Sequence, residues 1–184
     1  QGTQRLPRLS GVEFALKMMT TGDPVSATKA QSVGVIDRLI EGDIVEGAVA
    51  FAEELLANNA PLRKIQEMVI DPKAYHDEYF DTFRQTIARK TRGMNAPECA
   101  VRAVQAAVNL PFKEGVAFER KMTRECVADP QSKALQYVFF AERQATKVPG
   151  LPKDIELTAV NAVGIIGAGT MGGGIAMNFA NVGI

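Results

Sequence analysis

Apolar side chains recur at helical spacing along most of the chain. Ile44, Ala48, Phe51 and Leu55 follow one another at intervals of four, three and four positions, which predicts a buried stripe on one face of a helix. Similar spacing recurs in residues 12–19, 79–87, 100–108, 118–126 and 135–139. The pattern therefore predicts a chain that is mostly α-helical.

Aspartate, proline and glycine mark the expected ends of several helices. Asp71-Pro72 and Asp129-Pro130 each place a carboxylate where it can accept the first amide hydrogens of a helix, followed by a proline that lacks one. Gly22 favours a helix end. Two segments are predicted not to be helical: residues 1–8 as a loop, and residues 35–39 as a short strand.

The pattern changes after residue 147. Residues 148–152 contain two prolines and a glycine, which is typical of a linker, and we place this linker at residues 148–161. Residues 162–166 are continuously apolar, as in a strand buried on both faces of a parallel sheet. Helical spacing resumes at residues 175–180. The chain is therefore divided into residues 1–147, the linker, and residues 162–184.

A glycine motif lies between this predicted strand and the last predicted helix. Gly167, Gly169 and Gly172 form G-x-G-x-x-G. The first glycine allows the tight turn, the second allows a pyrophosphate to approach, and the third allows helix and strand to pack closely. Free amides at the helix start attract phosphate. We predict dinucleotide binding by Gly167, Gly169, Thr170, Met171 and Gly172, and a purely structural turn is the alternative.

The dinucleotide-binding unit is incomplete within this sequence. Residues 162–184 are shorter than the ~30 residues that a βαβ unit needs. The carboxylate that binds the ribose follows the glycines by ~20 residues, which is past position 184. We therefore expect weak NAD binding or none by this chain alone. With Gln1 rather than methionine at its start, we expect a piece of a longer polypeptide.

Composition and charge exclude several classes of protein. Apolar residues make up 46% and charged residues 23%, which is typical of globular proteins. Lys plus Arg number 21, as do Asp plus Glu, so the formal net charge is zero and a nucleic-acid partner is not expected. No apolar run is long enough to span a membrane. The two cysteines, Cys99 and Cys126, are expected to be buried, inert thiols in a reducing compartment.

Motifs along the chain resemble two enzyme families in a fixed order. Residues 2–8, GTQRLPR, and then residues 21–27 and 33–37 resemble successive segments of the crotonase, or enoyl-CoA hydratase/isomerase, family. Residues 167–176 resemble the nucleotide-binding turn of 3-hydroxyacyl-CoA dehydrogenases. Both families in one chain resemble the multifunctional enzymes of fatty-acid β-oxidation, and residues 99–108 and 139–143 look most like the peroxisomal-type bifunctional enzymes and their bacterial relatives.

This resemblance implies a fold and a parent activity. Residues 1–147 would be the C-terminal helical part of a crotonase fold with a helical extension, and residues 162–184 the first βα unit of a truncated Rossmann domain. The parent would hydrate trans-2-enoyl-CoA and then oxidise 3-hydroxyacyl-CoA with NAD. The family's catalytic glutamates and oxyanion hole precede residue 2, and the dehydrogenase His–Glu pair follows the glycine turn. We therefore assign no catalytic residue here and expect no activity.

Other candidate residues favour structural roles. His76, the only histidine, has no partners for metal binding and is expected to be solvated. Phe139 and Phe140 are expected in the core rather than over an acyl chain. A run of cations is interpreted as an exposed helix end rather than as a site for CoA phosphates. The run comprises Arg84, Arg89, Lys90 and Arg92.

Two other functions stay open at this point. One is a helical interaction module that self-associates through exposed apolar faces, and the other is a truncated stand-alone NAD-dependent oxidoreductase, which leaves residues 2–8 unexplained. Residues 163–166 would be poorly ordered or would pair with another copy. We expect a bacterial cytoplasmic location, with the peroxisome as the alternative.

Overall fold

A computed structural model describes residues 1–152, 154–156 and 158–184. The predicted linker at 148–161 includes Lys153 and Leu157, which lie outside the described residues. Two compact units are present, Gln1–Phe140 and Ala141–Ile184. The described part contains α-helices, two short 3-10 helices (Ile65–Glu67 and Pro72–Ala74) and no β-strand, which confirms the mostly α class. The α-helices are α1 (Gly2–Ser10), α2 (Val12–Thr21), α3 (Ala27–Ser32), α4 (Ile44–Ala57), α5 (Asp77–Ile87), α6 (Ala96–Asn109), α7 (Phe112–Ala128), α8 (Pro130–Ala145) and α9 (Thr170–Asn181).

Helix α6 lies at the centre of the first unit and packs against α1, α2, α5 and α7. Its buried valines meet Val12 and Leu16 of α2 and Phe80 of α5 in one apolar cluster. Ala103 and Ala107 of α6 are also buried, and their small side chains let neighbouring helices approach closely. Full burial of each large apolar side chain contributes about 1.5–3 kcal/mol, so this cluster holds the helices together.

The prediction that residues 1–8 form a loop is wrong, because these residues lie in helix α1. Pro7 lies inside the helix and is buried together with Gln4. The Gln4 side-chain nitrogen donates to the carbonyl of Ala103 at 2.8 Å, and Arg8 donates to the carbonyl of Ala107 at 3.1 Å. These contacts with α6 stabilise a helix whose own sequence is a poor helix former, since tertiary packing commonly overrides local propensity.

The short strand predicted at residues 35–39 is also absent. The amide of Val35 donates to the carbonyl of Ala30 at 2.9 Å, and the amide of Ile36 shares that acceptor. Gly34, at φ +79°, lies in the turn that brings the Val35 amide back to the Ala30 carbonyl. The backbone here completes the end of α3 and therefore does not pair with another strand.

The expected aspartate caps are confirmed. Asp129 accepts a hydrogen bond of 2.8 Å from the amide of Gln131 at the start of α8. Asp71 accepts one of 3.0 Å from the amide of Lys73, although the helix that follows is a 3-10 turn rather than an α-helix.

In the second unit, residues 162–166 do not form the predicted strand. They are irregular and exposed, and the Ile166 side chain is fully open to solvent. A strand needs a neighbour to accept its backbone hydrogen bonds, and the described part of the chain provides none. Helix α9 begins only at Thr170, so the segment is not continuously helical either.

Phe139 and Phe140 do not lie in the core, contrary to expectation. They are 47% and 62% exposed, and their rings meet edge to face at 5.4 Å between centroids. Helix α8 has no buried residue, and the same is true of α4. The buried stripe predicted for Ile44, Ala48, Phe51 and Leu55 is therefore wrong, since no described part of the chain buries that face of α4. Both helices therefore present apolar side chains to solvent.

Candidate functional site: the glycine turn before the last helix

The glycine motif joins the irregular segment to helix α9. Gly167 has φ +105°, a backbone conformation that residues with a Cβ rarely adopt. Gly169 precedes the helix with an extended backbone, and its carbonyl accepts the amide of Gly173 at 3.0 Å. The change from non-helical to helical backbone therefore lies inside the motif, at the position that the sequence predicted.

Gly172 lies directly against the backbone of the turn. A Cβ added there would lie 2.0 Å from the carbonyl oxygen of Gly167 and 3.7 Å from a methyl group of Ile165. No atom of the described part of the chain lies within 4 Å of a Cβ added at Gly169, Gly173 or Gly174. Gly172 is therefore needed for close packing, while the space beside Gly169 is open to a ligand.

The start of α9 is able to bind an anion. Among the residues that the structure describes, no side chain caps this helix, and its first turn contains no acidic residue. The first amides of a helix have no acceptor within the helix, and the helix dipole adds positive potential there. The amides of Thr170, Met171 and Gly172 are therefore available to phosphate oxygens.

The turn does not carry the other half of a dinucleotide site. Residues 167–184 contain no aspartate or glutamate, so this stretch supplies no carboxylate for a ribose. The residues present fit a diphosphate and nothing more. Dinucleotide binding by Gly167, Gly169, Thr170, Met171 and Gly172 stays a prediction.

The remaining candidate residues from the sequence are engaged elsewhere or exposed. Arg84 donates to both carboxylate oxygens of Glu98, at 2.9 and 3.0 Å, and this contact raises the pKa of Arg84. Lys90 pairs with Asp23 at 2.7 Å, which lowers the pKa of Asp23. These ion pairs support the interpretation of this run of cations as an exposed helix end rather than as a site for CoA phosphates.

His76 lies exposed just before α5, as expected. Among the residues that the structure describes, no three His, Cys, Asp or Glu side chains are grouped to hold a metal ion. In the same part of the chain, no helix combines the length and the apolar character needed to cross a bilayer.

Polar contacts that the sequence did not predict hold α1 in place. Glu119 of α7 is almost fully buried and accepts the amide of Thr3 at 3.2 Å, near the start of α1. Arg8 donates to the carbonyl of Met68 at 3.1 Å and lies over the ring of Phe112, and burial lowers its pKa. The spacing of Gln4 and Arg8, one helical turn apart, was the signal available in the sequence.

Cys99 and Cys126 are half-buried, not fully buried as expected. Both line an open, mainly apolar cavity of about 530 Å³ between α6, α7 and α8, together with Met122, Leu135 and Phe139. Burial, with a smaller effect from the neighbouring Cys99 thiol, raises the pKa of Cys126 to about 11. The Cys126 thiol is therefore protonated at neutral pH.

No family model matches the chain. The peroxisomal bifunctional enzyme of Cavia porcellus is 39% identical over 188 residues, which cover 100% of this chain and 26% of that protein. The proteins of the same name from Homo sapiens and Danio rerio are each 37% identical, over 98% and 100% of this chain, and the chain covers 25% and 26% of them. These names give no support to a bacterial cytoplasmic location. The chain spans about a quarter of the length of these relatives, and along its whole length it is homologous to peroxisomal bifunctional enzymes.

Proposed function

We propose that this chain is the junction between the two catalytic domains of a fatty-acid β-oxidation enzyme. Residues 1–147 would complete the enoyl-CoA hydratase/isomerase domain, residues 148–161 would connect the domains, and residues 162–184 would begin the 3-hydroxyacyl-CoA dehydrogenase domain. Similarity to the bifunctional enzymes over the whole chain supports this proposal, because it includes both the helical unit and the glycine turn.

In this proposal the glycine turn holds the diphosphate of NAD. The observation that supports this role of the turn is the close approach of Gly172 to the Gly167 carbonyl, next to a helix start without a side-chain cap. The chain's own contribution is to orient phosphate oxygens on the amides of residues 170–172, and acceptance of the hydride is the chemistry that bound NAD supplies. The ribose and the nicotinamide would be held by residues outside this chain.

The helical unit is proposed to support catalysis without taking part in it. Hydration of an enoyl thioester needs a pair of positioned carboxylates and an oxyanion hole. Glu119 is used to bind the start of α1, and Glu98 is paired with Arg84. We therefore expect no hydration of trans-2-enoyl-CoA by the 184-residue chain, and acyl-CoA substrates belong to the whole enzyme.

Titration of the ¹⁵N-labelled chain with NAD and with inorganic pyrophosphate tests the role of the turn. We expect weak binding, with dissociation constants of about 1 mM or above, corresponding to about 4 kcal/mol. The amide shifts should be confined to residues 169–172. Gly172→Ala should abolish them, because the new methyl group would displace the Gly167 carbonyl.

Gly174→Ala is the matched control, since it lies in the same helix with open space around it and should leave the titration unchanged. Shifts that are absent from residues 169–172, or that survive in Gly172→Ala, would contradict the proposed cofactor site.

A stand-alone oxidoreductase is a weaker proposal, because the similarity to the bifunctional enzymes extends through residues 1–147.

Self-association is a second candidate function, favoured by the exposed apolar side chains of α4. Ile44, Val45 and Leu56 are 71%, 72% and 77% exposed, and exposed apolar patches commonly mark interaction surfaces. Sedimentation equilibrium over a hundredfold range of concentration measures this. A constant monomer mass would exclude self-association, whereas a mass that rises with concentration and falls in Val45→Glu would support it.

A further inference from the structure

Cys99 and Cys126 come together through a helical hairpin. Helix α6 ends at Asn109 and α7 begins at Phe112, so only two residues connect them and the start of α6 lies beside the end of α7. Cys99 lies in the first turn of α6 and Cys126 in the last turn of α7. Both thiols are half-buried and line the same cavity, where they interact with each other.

No other thiol in the chain competes with this pair. The sequence contains two cysteines, so an intramolecular disulfide has a single pairing available. The open cavity between α6, α7 and α8 gives a small oxidant access to both sulfur atoms. We propose that Cys99 and Cys126 are a dithiol that hydrogen peroxide converts into a reversible intramolecular disulfide, joining α6 to α7.

The reaction balances in two steps. The attacking thiol first releases its proton, the thiolate attacks one oxygen of hydrogen peroxide, and the O–O bond breaks; the leaving hydroxide takes up the released proton, so that a sulfenic acid and one water are formed. The second thiol then attacks the sulfenic sulfur, and the S–S bond forms as a second water leaves. In total, two thiols and one peroxide give one disulfide and two waters, and a thiol such as glutathione reverses the change.

The surroundings assign the order of the two steps. Burial keeps the Cys126 thiol protonated, and the carboxylates of Asp129 and Glu125 add to this effect. The raised pKa of Cys126 disfavours its thiolate, so the proposal gives the attack on peroxide to Cys99 and the second step to Cys126.

Mass spectrometry of the 184-residue chain tests the proposal. The folded chain is treated with hydrogen peroxide, alkylated with iodoacetamide without reduction, and analysed both intact and after digestion. We expect an intact mass that is lower by two hydrogen atoms, no alkylation, and a cross-linked pair of peptides that contain Cys99 and Cys126. Dithiothreitol should restore two alkylatable thiols, and the oxidised chain should melt several degrees higher than the reduced chain.

The single variants assign the order of reaction. Cys126→Ser should accumulate a sulfenic acid at Cys99 that dimedone captures, whereas Cys99→Ser should react with peroxide at least tenfold more slowly. The wild-type peptide map decides the pairing even where a variant does not fold. Alkylation of both cysteines after peroxide treatment, independent oxidation to sulfinic acids, or a disulfide only between two chains would each overturn the proposal.

Discussion

Replacement of Gly115 by alanine tests whether Gln4 fixes the contact between α1 and α7. Gly115 is buried in α7, and a Cβ added there would lie 2.1 Å from the Gln4 side-chain oxygen. That oxygen has no hydrogen-bond partner within residues 1–152, 154–156 and 158–184, while the amide nitrogen donates to the carbonyl of Ala103. The Gln4 side chain therefore cannot move away without breaking this bond.

The expected change in the free energy of unfolding is the balance of one gain and two costs. Alanine in a helix interior gains about 1 kcal/mol over glycine. Forcing a methyl group into a packed site costs about 1–3 kcal/mol, and leaving the buried Gln4 amide or the Ala103 carbonyl unpaired costs about 1–3 kcal/mol more. We expect Gly115→Ala to lower the free energy of unfolding by about 1–5 kcal/mol.

Urea unfolding followed by circular dichroism measures this change, and a double-mutant cycle isolates its cause. Gln4→Ala should itself destabilise the chain, but Gly115→Ala should then cost much less, because the clashing oxygen is gone. An increase in stability in Gly115→Ala, as helix propensity alone predicts, would refute the reasoning. Additive effects in the double variant would refute it as well.

Three further changes probe the polar contacts of the helical unit. Glu119→Ala should lower the free energy of unfolding by about 1–3 kcal/mol, because it leaves the Thr3 amide without its acceptor; an unchanged urea midpoint would contradict this. Arg8→Lys should cost about 1–2 kcal/mol, since lysine cannot keep the carbonyl contacts and the stacking on Phe112 together, and thermal melting would detect it. The folded-state pKa of Asp129 is lowered by the hydrogen bond from the Gln131 amide at the start of α8 and by a second one from the Asn95 side chain. The stability that Asp129 contributes is therefore present above the ordinary carboxyl pKa of about 4 and is lost as the pH falls below it. Asp129→Asn should therefore have a smaller loss of stability between neutral and acidic pH, and parallel pH profiles for variant and wild type would contradict the assignment.

Regular apolar spacing predicted where helices form better than which faces they bury. The valines and alanines of α6 are buried as their spacing indicates, whereas α4 buries no residue and the buried aromatic residue of α5 is Phe80, next to the predicted face. Helix α1 was missed because its buried residues are Gln4 and Pro7, neither of which marks an apolar face. Its stability depends on carbonyl groups of α6 that are 99 positions away, which local patterns do not reveal.

At the candidate site, the sequence predicted the glycine turn before α9 correctly, but the strand that it predicted before the turn is absent. The spacing of Gly167, Gly169 and Gly172 placed the start of α9 correctly, since these glycines control the local backbone. The apolar run at residues 162–166 predicted a strand, but strand formation depends on a partner that the described part of the chain does not contain. The pairing of Cys99 with Cys126 depends on the hairpin of α6 and α7, and it emerged only from the structure.

The contact between Glu119 and the start of α1 has a consequence for biosynthesis. The two contacting residues are separated by 116 positions. At about 5–20 residues per second, a ribosome needs roughly 6–25 s to make the chain between them. During that interval the nascent α1 lacks its acceptors, with Pro7 and the polar face of Gln4 unprotected. We expect this helix to form only after α7 has left the exit tunnel, so residues 2–10 become helical late in the synthesis of the helical unit.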